Sequence, residues 1–235
     1  DGVQMGSRFA LTVESSAHDA FKQRCLQLEE GDTKLLLKQL APTRLVRNKF
    51  RDEVEQAELA GASVDVLIIG TSGRYEFKNK GINVFLETLN RLNRDKNLKK
   101  KVLAFVNVPG WVGEPREELK KRLASKKTYD TPLECPFITH WLHNMTHDQV
   151  LDMLKYLGMN NRPEDNVKVI FVPCYLDGKD GIINQHYYDA LLGQDLSCYP
   201  SYYEPWGYTP LESVAFRVPT ITTDLAGFGR WVNGL

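Results

Sequence analysis

Three basic side chains lie close together in the segment GTSGRYEFKNKG (70–81). Arg74, Lys78 and Lys80 stand between a predicted strand end and a predicted helix start. Free backbone N–H groups and the helix dipole favour an anion at the start of a helix, and a guanidinium and an ammonium add further donors. The segment therefore predicts a binding site for a diphosphate. A solvated basic turn, with Glu76 as the local partner of a cation, is the alternative.

Two glutamates stand eight residues apart in a second unusual segment, YPSYYEPWGYTPLE (199–212). Glu204 and Glu212 flank Gly207, and five of the first ten residues of the segment are aromatic. Two charges at this spacing argue against a core strand, because an unpaired buried carboxylate is costly. Gly207 would let a ligand approach the backbone closely. The segment predicts a ligand-binding loop, and packing of its aromatic side chains in the core is the alternative.

A helix is predicted to begin just after Gly207. Thr209, the proline after it and Glu212 match a capping box, with threonine at the N-cap and glutamate three residues later. The backbone amides of Tyr208 and Thr209 would then point outward from the N-terminus of the helix. Capping alone would explain Glu212, whereas Glu204 precedes a proline in the loop and has no such structural explanation.

The chain alternates short apolar runs with amphipathic stretches, a pattern typical of an α/β fold with a parallel sheet. We predict a Rossmann-like parallel sheet with helices on both faces, preceded by helices over residues 14–59. Ligands bind at the carboxyl ends of strands in such sheets, where both unusual loops lie. Strands are predicted at 64–70, 102–108, 167–173, 195–200 and 218–224, and helices at 82–92, 187–193 and 210–217.

Residues 109–165 interrupt the alternation. This segment is long, charged, punctuated by prolines and mostly helix-like, so it predicts a helical insertion within one domain that spans residues 1–235. The sequence stops shortly after a strand-like segment, with no obvious closing helix. We therefore expect an incomplete fragment of a longer protein.

Composition and charge limit the classes of function. Hydrophobic residues make up 42% of the chain and charged residues 26%, as in an ordinary globular protein. Thirty basic residues balance thirty acidic ones, so no overall field attracts nucleic acid or an anionic membrane. The four cysteines are widely spaced, which suits a reducing compartment. We expect a cytoplasmic protein with no nucleic-acid or membrane partner.

The two unusual segments together resemble a known family. The pair of glutamates on a loop-to-helix turn is similar to that of retaining glycosyltransferases of the GT-B fold. The longer strings PSYYEPWGYTPLE, TTDLAGFG and GRYEFKNKG resemble glycogen synthases of the animal and fungal type, including bacterial members. THWLHN, VKVIFVP and the insertion are also similar, and the resemblance covers about residues 64–230. It implies the C-terminal, donor-binding lobe of a GT-B fold.

The resemblance implies a role for each matching position. No metal and no cofactor are implied, because GT-B enzymes stabilise the departing phosphate with cations and helix-mouth amides. The catalytic set would be Glu204 beside the reacting carbon of glucose, with Arg74 and Lys80 on the diphosphate. The donor-binding set would be Tyr187 on the uracil, Trp206 and Gly207 at the sugar, the amides of Tyr208 and Thr209 at the phosphates, and Glu212 on the ribose hydroxyls.

The implied activity is retaining transfer of glucose from UDP-glucose to the non-reducing end of an α-1,4-glucan. UDP-glucose and glycogen would be the partners, and the full-length protein would be a homo-oligomer assembled through residues 110–165. This chain alone would have little transferase activity. The alternatives are another retaining GT-B transferase, of the sucrose or trehalose type, and a non-catalytic module that binds a nucleotide sugar or a glucan.

A histidine-rich segment gives a weaker signal. His140, His143 and His147 are three and four residues apart, which would put them on one face of a helix and could ligate zinc. The sequence offers no evident fourth ligand, and the family resemblance gives these histidines no metal role. We interpret them as ordinary packing or surface residues.

Overall fold

The computed structural model describes residues 66–235 except 126, 128 and 130. Before them it describes Gln23, Gln27 and the backbone of residues 33–36 and 43–46. The chain divides into two compact units, residues 1–64 and residues 65–235. The parallel sheet and both loops singled out above lie in the second unit.

The described part of the first unit contains two strands, β1 (Thr33–Leu36) and β2 (Thr43–Val46). They pair antiparallel, with Thr33 opposite Val46. The prediction of helices over 14–59 is therefore wrong for these residues, although Gln23 is helical. The β-branched residues of TKLL and TRLV favour extended backbone, and pairing satisfies the hydrogen bonds that a helix would have supplied. The remainder of that prediction lies outside the described residues.

The second unit alternates strands and helices. In the part of the chain that the structure describes, no helix is long and apolar enough to span a membrane. The strands are β3 (Val66–Ser72), β4 (Lys101–Asn107), β5 (Val112–Pro115), β6 (His140–Leu142), β7 (Val167–Val172), β8 (Leu196–Tyr199) and β9 (Thr220–Thr222). The helices are α1 (Ile82–Arg94), α2 (Glu117–Ser125), α3 (Gln149–Tyr156), α4 (Tyr187–Leu192), α5 (Tyr208–Ala215) and α6 (Gly227–Asn233).

Five of these strands form the parallel sheet in the order β7-β4-β3-β8-β9. The predicted strands and the α/β, Rossmann-like fold class are thus confirmed. From β3 the chain moves outward through β4 to β7 and then crosses back to β8. The strand order therefore reverses between β3 and β8, and the crevice at such a reversal is where α/β sheets bind ligands.

The core lies between the sheet and its helices. Ala104, Val106, Val169 and Phe171 have no accessible surface in the sheet. Helix α1 covers them with a stripe at three- and four-residue spacing, as its sequence predicts. The buried apolar side chains of that stripe are Ile82, Phe85, Leu86 and Leu89. Each such side chain contributes roughly 1.5–3 kcal/mol by leaving water. Burial of this stripe therefore holds α1 firmly against the sheet whose strand ends carry the loops.

The predicted helical insertion, residues 109–165, is of mixed structure. It contains α2 and α3, but also an antiparallel pair formed by β5 and β6. Val150 and Leu154 of α3 are fully buried in the same core as the sheet. The segment is therefore integrated into the second unit, because α3 needs the main core to bury its apolar face.

Candidate active site

The two unusual loops meet at the carboxyl ends of β3 and β8. Gly81 ends the first loop in the left-handed conformation, with φ of 65°. A Cβ atom on Gly81 would overlap the carbonyl oxygen of Pro200, the first residue of the second loop. The Tyr202 N–H also donates a hydrogen bond to the Asn79 carbonyl over 2.8 Å. Backbone contacts therefore fix one loop against the other.

We expect Gly81→Ala to separate these loops and to destabilise the protein. The left-handed backbone and the overlap with Pro200 together cost roughly 2–4 kcal/mol in free energy of unfolding. Chemical denaturation measures this loss. Gly158→Ala is the matched control, since Gly158 has φ of 69° but nothing within 4 Å of its added Cβ. Equal losses in the two variants would contradict the close approach.

A buried ion pair joins the two loops. The Lys80 ammonium nitrogen lies 2.5 Å from Oε1 of Glu204, and the two side chains are only 10% and 13% exposed. The hydroxyl of Ser201, itself buried, donates a second hydrogen bond to the same Oε1 over 3.0 Å. Burial strengthens the attraction between the charges, and the hydroxyl fixes the carboxylate orientation. The structure thus brings together a predicted cation and a predicted carboxylate that are 124 residues apart in sequence.

The loop of Glu204 is also held from behind by the start of α6. The Gly227 N–H donates to the Glu204 carbonyl over 3.1 Å, and the Phe228 N–H donates to the Trp206 carbonyl over 2.6 Å. The Trp206 ring packs 6.0 Å from Phe228 and 6.1 Å from Trp231, between ring centroids. The partly buried Trp206 therefore anchors the loop, so packing accounts for part of its surface.

Helix α5 begins without the predicted capping box. Gly207 is the N-cap, with φ of 100°, and no side chain caps the helix. Since this left-handed turn starts the helix at Tyr208, Thr209 is already helical and cannot act as the N-cap. Glu212 instead accepts a hydrogen bond from the Tyr188 hydroxyl over 3.2 Å. The amides of Tyr208 and Thr209 lie in the first turn, whose N–H groups have no intrahelical acceptors.

A cleft of about 360 Å³ opens beside the two loops. Arg74, Tyr187 and Thr209 are the predicted site residues in its lining. The Arg74 side chain is 81% exposed and lies 3.2 Å from Glu76, the local partner considered above. Gly73, Ser72, Asn107, Pro109, Cys174, Tyr175 and Leu176 complete the lining.

Lys80 of the buried pair lies next to the lining of this cleft. Lys80 is not among the lining residues, but its Nζ lies 3.8 Å from where a Cβ on Gly73 would be. Gly73 itself lines the cleft. A glycine therefore keeps the path from the cleft to the ammonium free of a side chain. Arg74 offers an exposed cation at the rim of the site, and Lys80 offers a buried one behind it.

Tyr187 lies in the cleft with its hydroxyl anchored. That hydroxyl is 2.8 Å from Ser72 Oγ. Burial, together with the neighbouring Tyr199, raises the pKa of Tyr187, so the phenol remains protonated at neutral pH. Its neighbour Tyr188 stacks on Phe216 at 4.9 Å between ring centroids. The two adjacent tyrosines therefore differ, since one lines the cleft and the other packs on α5.

Sequence reasoning missed several cleft residues. Tyr175 is 80% exposed and lines the cleft, and its signal was an aromatic residue just after the VKVIFVP strand. Ser72 and Asn107 end two neighbouring strands and face each other in register. Their signal was a polar residue at the end of an apolar run.

The histidines do not share a helical face. His140 lies in β6, and both His143 and His147 precede the start of α3 at Gln149. The helix predicted by their spacing is therefore wrong, because this part of the chain pairs with β5 instead. His143 packs against the Trp111 ring at 5.0 Å between centroids.

His140, Cys174 and Asp180 form the one group of possible metal ligands in the part of the chain that the structure describes. His140 Nε2 already lies 2.8 Å from the Asp180 carbonyl oxygen. The Asp180 carboxylate accepts backbone N–H groups of residues 182–184. Burial and Asp180 raise the pKa of Cys174 to about 11. His140 and the Asp180 carboxylate therefore already have hydrogen-bond partners within the chain.

Comparison with known proteins identifies two family models. The model described as glycogen synthase matches residues 113–235, slightly more than half of the chain. A model described as nitronate monooxygenase matches residues 1–108, less than half. Strands β3 and β4 fall in the second match, yet they pair with β8 and β7 of the first in one parallel sheet.

Several glycogen (starch) synthases are similar to this chain. The Neurospora crassa protein is 30% identical over 227 residues, which cover 73% of this chain and 32% of the relative. The Caenorhabditis elegans protein is 32% identical over 215 residues, which cover 69% of this chain and 32% of that protein. The Homo sapiens liver protein is 30% identical over 216 residues, which cover 71% of this chain and 31% of that protein. The chain thus spans about a third of the length of the curated relatives it matches.

Solved structures with some similarity include WaaG and OtsA. WaaG, a glycosyltransferase involved in lipopolysaccharide biosynthesis, gives a TM-score of 0.40 at 16% identity, covering 80% of this chain and 36% of its own. The apo structure of OtsA gives a TM-score of 0.41 at 11% identity and covers 76% of this chain and 34% of the OtsA chain. The glycogen synthase model covers α5, Glu204, Glu212 and Tyr187. By that match, the chain belongs to the glycogen synthase family.

Proposed function

We propose that this chain is the donor-binding lobe of a glycogen synthase that transfers glucose from UDP-glucose to the non-reducing end of an α-1,4-glucan, with retention. The observation that carries the proposal is the Lys80–Glu204 pair, which links the two strand-end loops behind a cleft. A cation for a leaving phosphate and a carboxylate for a sugar therefore share one place in the fold. This is the pairing that the reaction needs.

The reaction separates charge, and each type of residue would stabilise one part of the separated charge. As the bond from the sugar carbon to the phosphate oxygen breaks, its electron pair stays on the diphosphate and the sugar ring becomes cationic. Arg74, Lys80 and the first-turn amides of α5 would stabilise the diphosphate. Glu204 would stabilise the cationic ring and orient its hydroxyls. The acceptor oxygen bonds to the same carbon on the same face, and its proton passes to the departing phosphate.

The ion pair gives Lys80 a defined starting state. Its charge is balanced by Glu204 at 2.5 Å. An arriving diphosphate would share the ammonium with that carboxylate, which would leave Glu204 in place beside the sugar. Arg74 is mostly exposed and would make the first contact with the anion.

The remaining site residues would define the nucleoside end. The Tyr187 ring would stack on the uracil, and its hydroxyl contact with Ser72 would fix the ring. Glu212 would bind the ribose hydroxyls from the side of α5, where it now accepts from Tyr188. Trp206 and Gly207 would border the glucose. No metal or other cofactor takes part in this proposal.

Glycogen and further copies of the protein are the proposed partners of the full-length enzyme. The surface proposed for the contact between copies lies in residues 110–165. Its exposed aromatic side chains include Trp111, at 74%, and Tyr156, at 87%. Exposed aromatic side chains are enriched at protein interfaces.

We expect the 235-residue chain to bind UDP more tightly than ADP, and to make little or no glucan. Calorimetric titration with the two nucleotides measures the first property. Incorporation of labelled glucose into glycogen, with a full-length relative as the positive control, measures the second. Binding of neither nucleotide would contradict the donor site, and glucan synthesis at the rate of a full synthase would contradict the need for a second lobe. Transfer by the full-length protein to a small acceptor, but not to glycogen, would favour a sucrose- or trehalose-type enzyme.

A further inference from the structure

Asn107, the last residue of β4, has a buried polar atom without a partner. The residue is 7% exposed, and its Oδ1 makes no hydrogen bond within the described part of the chain. Its backbone carbonyl has a partner, since it accepts from the Gly73 N–H over 3.3 Å. The unpaired group is therefore the side-chain carbonyl oxygen of Asn107.

An apolar residue would be expected at this position. Val106 and Val108 on either side are buried, and asparagine is disfavoured in strands. A buried carbonyl oxygen that lacks a donor costs roughly 1–3 kcal/mol. The described packing offers no compensation for this cost. A ligand that brings a hydrogen-bond donor would provide it.

The position of Asn107 identifies the direction from which such a ligand would come. Asn107 lines the cleft that also contains Arg74, Tyr187 and Thr209. It also lines an adjoining cleft of about 190 Å³, whose walls include Ile68, Phe105 and Ile183. Asn107 and Leu176 are the residues common to both linings. Asn107 thus lies where the two clefts meet, beside the largely apolar lining of the smaller one.

We propose that Asn107 Oδ1 accepts a hydrogen bond from the imide N3–H of the donor's uracil, so that Asn107 reads the base. This inference rests on the proposed function and deepens it. A carbonyl oxygen cannot bind a phosphate oxygen, because both are acceptors. The apolar walls suit a flat base, and Tyr187 in the same cleft supplies a stacking face. The amide Nδ2 can donate to a uracil carbonyl beside the imide, which makes the pairing two-sided.

The test compares UDP with 3-methyl-UDP, which lacks the imide proton, in calorimetric titrations of the full-length protein. We expect the wild-type protein to bind 3-methyl-UDP about tenfold more weakly, as for one unsatisfied buried acceptor. Asn107→Leu should weaken UDP binding about tenfold and should bind the two nucleotides equally. Inorganic pyrophosphate should bind the variant and the wild type alike, because it has no base.

Asn90→Leu is the matched control. Asn90 is 6% exposed in α1 and lines neither cleft, so the same change there should leave UDP binding unaltered. Equal binding of UDP and 3-methyl-UDP by the wild type would overturn the inference even if Asn107→Leu fails to fold. Unchanged UDP affinity in a folded Asn107→Leu protein would overturn it as well. Failure of the wild type to bind UDP at all is the separate result that would contradict the proposed function.

Discussion

Glu204→Gln in the full-length protein should lower kcat by roughly 10²–10³-fold and leave UDP binding intact or tighter. Glutamine keeps the size of the side chain and can still accept from Ser201, but it removes the negative charge beside the sugar. Lys80, now paired at 2.5 Å, would lose its counter-charge and become fully available to a diphosphate. Steady-state kinetics with UDP-glucose, and calorimetry with UDP, separate the two effects.

Glu212→Gln is the control for this experiment, because it makes the same change eight residues further on. Glu212 contacts the Tyr188 hydroxyl and makes no ion pair with a cation among the described residues. Its loss should raise KM for the donor more than it lowers kcat. If Glu204→Gln keeps wild-type turnover, Glu204 has no catalytic role. If the wild-type protein binds UDP but shows no turnover that the change could abolish, the non-catalytic binding module is the better description.

Arg116→Met should destabilise the protein by about 3 kcal/mol or more. Arg116 is 1% exposed, and its guanidinium donates to the carbonyls of Glu134 and Cys135 over 2.6 and 2.7 Å. It also stacks over the Trp141 ring at 4.6 Å. Methionine fills part of the volume but leaves these partly buried carbonyls without donors from Arg116. The free energy of unfolding, measured in urea, would report the loss.

Arg122→Met is the matched control. Arg122 also donates to a backbone carbonyl, that of Thr131 over 2.6 Å, and lies over the Tyr129 ring at 4.6 Å. Its side chain is 22% exposed, however, so water can replace these contacts. We expect a loss below about 1 kcal/mol, as for other surface charges. Similar losses in the two variants would mean that burial does not determine the contribution of Arg116.

Local patterns in the sequence were sufficient for the parallel sheet. The runs VLAFVNV and VKVIFVP became neighbouring strands, and the apolar stripe of residues 82–92 became the buried face of α1. These patterns work because the period of apolar residues depends only on the backbone geometry of each element. The same reasoning placed both loops at the carboxyl edge of the sheet.

Local patterns failed where partners come from elsewhere in the chain. The capping box at Thr209 was a valid local motif, but the helix begins earlier, after the left-handed Gly207. Glu212 therefore accepts a hydrogen bond from Tyr188 and does not cap the helix. The antiparallel pairing of β1 with β2 replaced the predicted helix for the same kind of reason. Pairing between segments outweighs intrinsic propensity, which differs by less than about 1 kcal/mol per residue.

By itself, the sequence determined the class of fold, the two loops and the residue types able to hold a diphosphate and a sugar. Only the tertiary structure decided that Lys80 pairs with Glu204, that Arg116 is buried among carbonyls, and that Asn107 keeps an unpaired oxygen beside a cleft. The physical reason is that spacing along the chain sets which face a side chain occupies. Burial and hydrogen-bond partners, by contrast, depend on which distant segments the sheet brings to the same edge.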